Sequence, residues 1–303
     1  MTTIDIMLPY YGPVDLMKAT VRSILAQDDK DWRLTVVDDG YPDESIPGWF
    51  AELGDDRVRY LRNEQNLGAN RNYQKCLGLI EHELVVIMGA DDLMLPNYVG
   101  TIRAAHAAHP KAAMIQPGVQ VIDGDGVPAR TLIDETKRRV YAPKVDGRRV
   151  MGGEELAVSL LRGNWLYFPA LCWRSDAIVD LGFREGLDTI QDLALVMDLV
   201  ERGEELVVDS QECFQYRRHR ASDSSWRALE GTRFIEERNF FVDVAERMDA
   251  LGWKRAARAS RLHVSSRLNA LTLLPLALRK RHKTGLRNLG RHVFGASRRV
   301  SRV

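Results

Sequence analysis

The sequence predicts an α/β fold: a mostly parallel sheet with helices on both faces, extended by a helical, strongly basic C-terminal segment. Three observations predict it. Short apolar runs alternate with amphipathic stretches through the first hundred residues, the βαβ rhythm of a parallel sheet. Two of those runs stop at acidic clusters, Asp38-Asp39-Gly40 and Gly89-Ala90-Asp91-Asp92, at the strand ends where such sheets bind ligands. Charge is split along the chain: of 43 Lys and Arg, 14 fall in residues 251–303, which hold none of the 42 Asp and Glu, so the first 250 residues are net acidic.

Taken in order, Ile4 to Leu8 reads as a buried strand stopped by Pro9. Val14 to Leu25 carries Leu16, Ala19, Val21, Ile24 and Leu25 at helical spacing. Trp32 to Val37, Val58 to Leu61 and Leu84 to Met88 read as strands, and Ala69 to Ile80 and Asn97 to His109 as helices. Beyond Val121 the pattern loosens, and residues 127–150, rich in Pro, Gly, Lys and Arg, read as a long surface loop able to order over a ligand. Glu154 to Leu161 and Asp192 to Arg202 are expected helices, Glu205 to Val208 and Cys213 to Tyr216 expected strands. From Trp226 to about Arg267 the chain reads as helix almost without interruption.

Composition excludes several classes. At 303 residues, 45% hydrophobic and 28% charged, the chain is neither disordered nor stapled by disulfides. Cys76, Cys172 and Cys213 have no zinc-like spacing and fit a reducing cytosol. No signal-like N-terminus and no apolar run of the roughly 18 to 20 residues needed to span a bilayer is present, so neither export nor membrane crossing is expected.

The acidic clusters have two readings each when taken alone. Asp38-Asp39-Gly40 is either a ligand edge, its carboxylates accepting from a base N–H or a ribose hydroxyl, or a solvated turn. Adjacent Asp91 and Asp92 repel at the end of a buried strand and invite a divalent cation, or else one of them caps the helix that follows Pro96.

A family resemblance decides between them. Ile4-Asp5-Ile6-Met7-Leu8-Pro9-Tyr10-Tyr11 resembles the opening strand of family 2 glycosyltransferases of the GT-A fold, with Tyr10 and Gly12 replacing the usual Thr and Asn. Ser23 to Gln27, Asp31 to Gly40, Asn63 to Gly68 and Met88 to Asp92 resemble successive family stretches. Gln191-Asp192-Leu193 stands where the family has a Glu-Asp pair, and Tyr216 to His219 with Ser222 resembles its Tyr-Arg-x-His block. The resemblance covers residues 3–225 and implies a GT-A, Rossmann-like domain over 1–225, with a donor-binding half 1–121 and an acceptor-side half 122–225, followed by a helical extension 226–303 that is strongly basic from 254. Two departures stand out: Gly89 replaces the first Asp of the DxD element, and Gln191 replaces the Glu.

The resemblance implies that Pro9, Tyr11, Asp38, Asp39, Asn66, Arg71, Ala90, Asp91 and Arg217 bind the donor. It implies Asp91, Asp92 and His219 around Mn²⁺ or Mg²⁺, Asn164, Trp165 and Gln191 on the acceptor side, and Asp192 as general base. The activity implied is metal-dependent, inverting transfer of a sugar, hexosyltransferase in type, from a nucleotide-diphosphate sugar, UDP-linked, to a hydroxyl of a lipid-linked or cell-envelope glycan. The competing class is a non-catalytic sugar-nucleotide-binding, membrane-associated assembly partner. Nucleotidyl transfer lacks the Gly-rich, Lys-bearing phosphate loop it needs. Leu268, Leu271, Leu274 and Leu278 at helical spacing, followed by Arg279-Lys280-Arg281-His282-Lys283, suit a helix lying on an anionic membrane surface through residues 254–303, and packing on the catalytic domain is the alternative. No nucleic-acid-binding motif accompanies the charge, so nucleic acid is not an expected partner. The expected location is cytoplasmic, peripheral at the inner face of the cell membrane.

Overall fold

The computed structural model describes residues 2–187, 189–218 and 231–295. Nine strands form one mixed sheet: β1 (Ile4–Tyr10), β2 (Trp32–Asp38), β3 (Val58–Arg62), β4 (Leu84–Ile87), β5 (Leu93–Met94), β6 (Met114–Ile122), β7 (Arg148–Met151), β8 (Cys172–Arg174) and β9 (Leu206–Arg217). Their spatial order is β3-β2-β1-β4-β8-β6-β9-β5, with β7 also on β9. The expected parallel order holds for β3, β2, β1 and β4, while β8 enters antiparallel between β4 and β6.

Alternation along the strands puts a core on each face. Ile4, Ile6 and Leu8 of β1 with Leu84 and Val86 of β4 pack toward α1 (Val14–Leu25), α2 (Ser45–Leu53) and α4 (Tyr98–Ala108). Met7, Val85 and Ile87 face the other way, toward α3 (Ala69–Leu77), α6 (Gly153–Arg162) and α8 (Gln191–Glu201). The helices on both faces follow from this, since neither face of the parallel strands is polar.

Three expectations need correction. Residues 127–150 are not a continuous loop: Thr131 accepts the Asp134 N–H with its hydroxyl and starts α5 (Leu132–Thr136), which runs into a π-helical turn, Lys137–Tyr141, and then β7. The two strands expected at 205–216 are one, β9, whose register against β6 shifts between Gln116 and Val119. There Gly118 is required, because a Cβ would lie 2.8 Å from the Gln211 backbone. Within 226–267, residues 226–230 lie outside the described residues, and the remainder is broken by Gly252 and His263 into α9 (Thr232–Ala250), α10 (Lys254–Leu262) and the start of α11 (Val264–Arg279). Helix α7 (Ser175–Val179) packs on the same face as α6, and α12 (Lys283–Phe294) is the last described helix. Among the described residues no helix is long and apolar enough to cross a membrane.

Candidate active site

Parallel strands β1, β2 and β4 deliver their carboxyl ends to one edge of the sheet, with Tyr10 in register with Asp38. Pro9 is half-buried there, and Tyr10 is buried with its hydroxyl on the Gly12 carbonyl. Tyr11 is 57% exposed, its ring held edge-on by Tyr41, so it offers an aromatic face at the rim.

Asp38 and Asp39, expected at the base and ribose, are both engaged by protein groups. Asp38 is fully buried, accepting from the Tyr41 N–H at 2.8 Å and the Tyr60 hydroxyl at 2.5 Å, with Arg62 3.8 Å away. Asp39, also buried, accepts from Asn63 Nδ2 and from the Leu67 and Gly68 N–H groups at 2.7 to 2.9 Å. These carboxylates organise the loops around the site and present no open surface. Asn66 closes the second loop, its side-chain oxygen accepting from Gly68 N–H at 3.0 Å, and Arg71 stands exposed one turn into α3.

The turn after β4 divides its two acids. Ala90 is half-buried beside them. Asp92 is 1% exposed, and its Oδ1 accepts the Arg217 N–H at 2.8 Å, tying the end of β9 to the turn. Burial first, and then the charge of Asp91, holds its carboxyl well above the usual carboxylate range. Asp92, expected as a metal ligand, is placed as a brace in this turn. Gly89 has a steric reason: a Cβ there would lie 2.6 Å from Asp92 Oδ2 and 3.0 Å from Asp91 Oδ1, so the two carboxylates fill the space an Asp at 89 would need. Arg217, expected at the donor, donates from its guanidinium to the carbonyls of Asp91, Asp123 and Gly124 at 2.7 to 3.0 Å. His219 lies outside the described residues.

Across the cleft, α8 begins at Gln191. Gln191 Oε1 accepts from Asn70 Nδ2 at 2.8 Å, which joins the acceptor side to the donor-side helix α3. Asp192 is half-buried on the first turn and accepts the Leu193 N–H at 2.7 Å. Burial raises its carboxyl above the ordinary value, against the Leu193 N–H, Lys137 and Arg233, which favour the ionised form. Position at a helix start predicts the opposite net direction, and burial outweighs it. Tyr73, on α3 with Asn70, is held neutral by burial first and then by the nearby charges of Asp91, Asp192 and Asp92.

A second polar layer stands beside Asp192. Arg218 makes a paired contact with buried Asp134, at 3.1 and 2.7 Å, and its guanidinium lies 4.8 Å from the centre of the Tyr216 ring. The Tyr167 hydroxyl donates to Asp134 at 3.0 Å, and the Lys137 ammonium sits 5.0 Å from the centre of the Tyr167 ring. Burial, with Arg218 adding to it, pushes Lys137 down to about 8, although Asp192 and Asp134 pull it up. Of the acceptor-side candidates, Asn164 is half-buried and closes its own turn on the Leu166 N–H. Trp165 is buried with its indole N–H on Ser159, so it is fixed wall rather than open platform. That wall belongs to a cavity of about 570 Å³ shared with Gln116, Pro128, Asp134 and Tyr167.

Sequence reasoning missed Asn70, Tyr73, Asp134 and Lys137, none of which carries a motif signal, whereas Arg218 stands in the Tyr-Arg-Arg-His run. Among the described residues no three His, Cys, Asp or Glu side chains converge on a metal position.

Residues 5–155 match the profile described as glycosyl transferase family 2. An uncharacterized protein of Mycobacterium tuberculosis is 25% identical over 246 residues, spanning 78% of this chain and 73% of that protein. Among solved structures, residues 1–349 of S. aureus TarS with UDP-GlcNAc superpose with a TM-score of 0.69 at 16% identity, over 96% of this chain and 81% of that one. The mannosyltransferase PcManGT from Pyrobaculum calidifontis, with GDP-Man and Mn²⁺, gives 0.61 at 14%, over 98% and 86%. At these identities the two structures establish the shared GT-A fold.

Proposed function

The chain belongs to glycosyl transferase family 2, and from that premise we propose that it transfers a sugar with inversion from a nucleoside-diphosphate sugar, UDP-linked, to an acceptor hydroxyl. The observation that supports the reading is the Gln191–Asn70 hydrogen bond, which sets the start of α8, and with it Asp192, against α3, whose Tyr73 feels the charges of both Asp91 and Asp192. Asp192 takes the acceptor proton as the new glycosidic bond forms. Its raised carboxyl is a stronger base than an ordinary Asp. Gln191, held by Asn70, orients the acceptor without titrating. Tyr11 borders the base of the donor, and Lys137 places positive charge beside Asp192. Asp91 would hold Mn²⁺ or Mg²⁺, and PcManGT, bound to Mn²⁺, supports a divalent ion here. When bound, the ion would neutralise charge on the departing diphosphate.

The acceptor side faces a membrane in this reading. Helix α11 leaves Val264, Leu268, Leu271, Leu276 and Leu278 exposed, continues through Pro275, and ends in Arg279-Lys280-Arg281. An apolar stripe beside cations suits the interface of an anionic bilayer at the cytoplasmic face and favours a lipid-linked acceptor.

The test is thermal stabilisation by a panel containing UDP-GlcNAc, other UDP-sugars and GDP-mannose, with and without Mn²⁺. One UDP-sugar is expected to raise Tm, more so with Mn²⁺, and the metal increment is expected to vanish in Asp91→Asn. A panel in which no nucleotide sugar moves Tm would overturn the reading.

A further inference from the structure

The C-terminal helices reach back to the residues just ahead of Asp192. Helix α8 has Ile190 at its N-cap, a residue with no side-chain acceptor, so its leading N–H groups need a partner from elsewhere. Glu236 of α9 supplies one. Its Oε1 accepts the Thr189 N–H at 2.8 Å and the Ile190 N–H at 3.0 Å, from 46 residues further along the chain. Three residues earlier on α9, Arg233 pairs with Glu237 at 2.5 Å and bears on the Asp192 carboxyl.

We propose that Glu236 is a positioning residue for Asp192: its carboxylate caps the start of α8 from another helix and fixes the segment that aims the base into the cleft. The proposal rests on Asp192 being the base. Glu236 serves the Thr189 and Ile190 N–H groups, while Asp192 Oδ1 keeps the Leu193 N–H. The catalytic unit then extends past residue 225 to include α9, and whatever moves the C-terminal helices moves the base. The charged and titratable groups that face Asp192 come from three elements, Lys137 from the π turn, Arg233 from α9 and Tyr73 from α3, and a shift of α8 changes its distance to all of them.

The test compares Glu236→Ala and Glu236→Gln in the full chain. The readouts are amide hydrogen exchange at Thr189 and Ile190, the ¹³C NMR titration of the Asp192 carboxyl, and nucleotide release from UDP-GlcNAc and GDP-mannose. In Glu236→Ala the two amides exchange at least about tenfold faster. The Asp192 midpoint falls toward the ordinary carboxylate range by at least about half a pH unit as burial is lost. Glu236→Gln, whose amide oxygen accepts the same two bonds, restores both. Glu236→Asp, one methylene short, shows the same changes in smaller measure if the Ala variant does not fold. Faster exchange with an unmoved Asp192 titration, or Gln behaving like Ala, overturns the proposal. Failure of the underlying reading looks different: Asp192→Asn would then release nucleotide at the wild-type rate, whatever Glu236 does to the titration.

Discussion

The sheet and the C-terminal helices partition their residues in opposite senses. In the sheet, apolar strands fill the interior and the acids gather at one edge. In the C-terminal helices a polar network is buried: Ser266 lies between Glu237 and His292, and His263 stacks on Phe241 and accepts from Arg267 at 3.2 Å. Among the described residues, α9 gives Phe240, Phe241, Val244 and Met248 to the core against the sheet, and a separate apolar cluster of Phe234, Ala270, Ala277 and Leu289 is small, while Leu268, Leu271, Leu278 and Phe294 face outward. Burying ionisable groups costs free energy unless they are paired, as they are in this network. The difference teaches that the sheet is held by apolar packing and the far end of the helices by a polar network, which leaves the outward leucines for the proposed bilayer surface.

The largest expected effect breaks the comparison at that surface. Leu268, Leu271 and Leu278 changed together to Ser should lower binding to anionic vesicles at least about a hundredfold, because three partly inserted leucines account for several kcal/mol. Sedimentation of both proteins with phosphatidylserine vesicles checks this, and equal sedimentation would assign the stripe to packing. In the sheet, Asp92→Ala removes the acceptor of the Arg217 N–H from a closed site and should cost about 3 kcal/mol in denaturant unfolding. Gly89→Asp, which restores the family's first DxD acid, should cost about 2 kcal/mol because it meets the Asp92 carboxylate. Full stability with tighter Mn²⁺ binding would refute that steric account.

The smallest effect near neutrality is the pH response of the helices. Burial depresses His263 to about 4 and His292 to about 3, below the ordinary value of 6.5, so the folded state resists protons that the unfolded chain accepts. Stability from this pair is fully present above pH 6.5 and is lost as pH falls from there toward 3. Melting followed at pH 7 and pH 5 should show a fall in Tm that His292→Phe reduces.

Legibility followed the same division. The buried strands announced themselves as apolar runs, and the expected positions of β1 to β4 agree with the structure to within a few residues. Helix α2 escaped notice because Pro47 and Gly48 sit inside it, and β8 because three residues within an aromatic stretch carry no period. At the site, the family motifs pointed to Asp91, Asp192, Asp38, Asp39, Asp92 and Arg217, but sequence does not reveal that a backbone N–H, a side chain or a carbonyl already engages the last four. Asn70 meets Gln191 across 121 positions, and Glu236 meets Ile190 across 46; such pairings are a product of the fold and leave no local signature.

The central claim is that Asp192 is the base, and Asp192→Asn tests it most directly. The substitution is nearly isosteric and still accepts the Leu193 N–H, so the fold should keep its Tm. Turnover of the UDP-sugar identified by thermal stabilisation should fall at least about a hundredfold, with donor affinity within a few-fold of wild type. Turnover that stays at the wild-type level, or that falls only in step with Tm, would contradict the account and make Asp192 a structural residue.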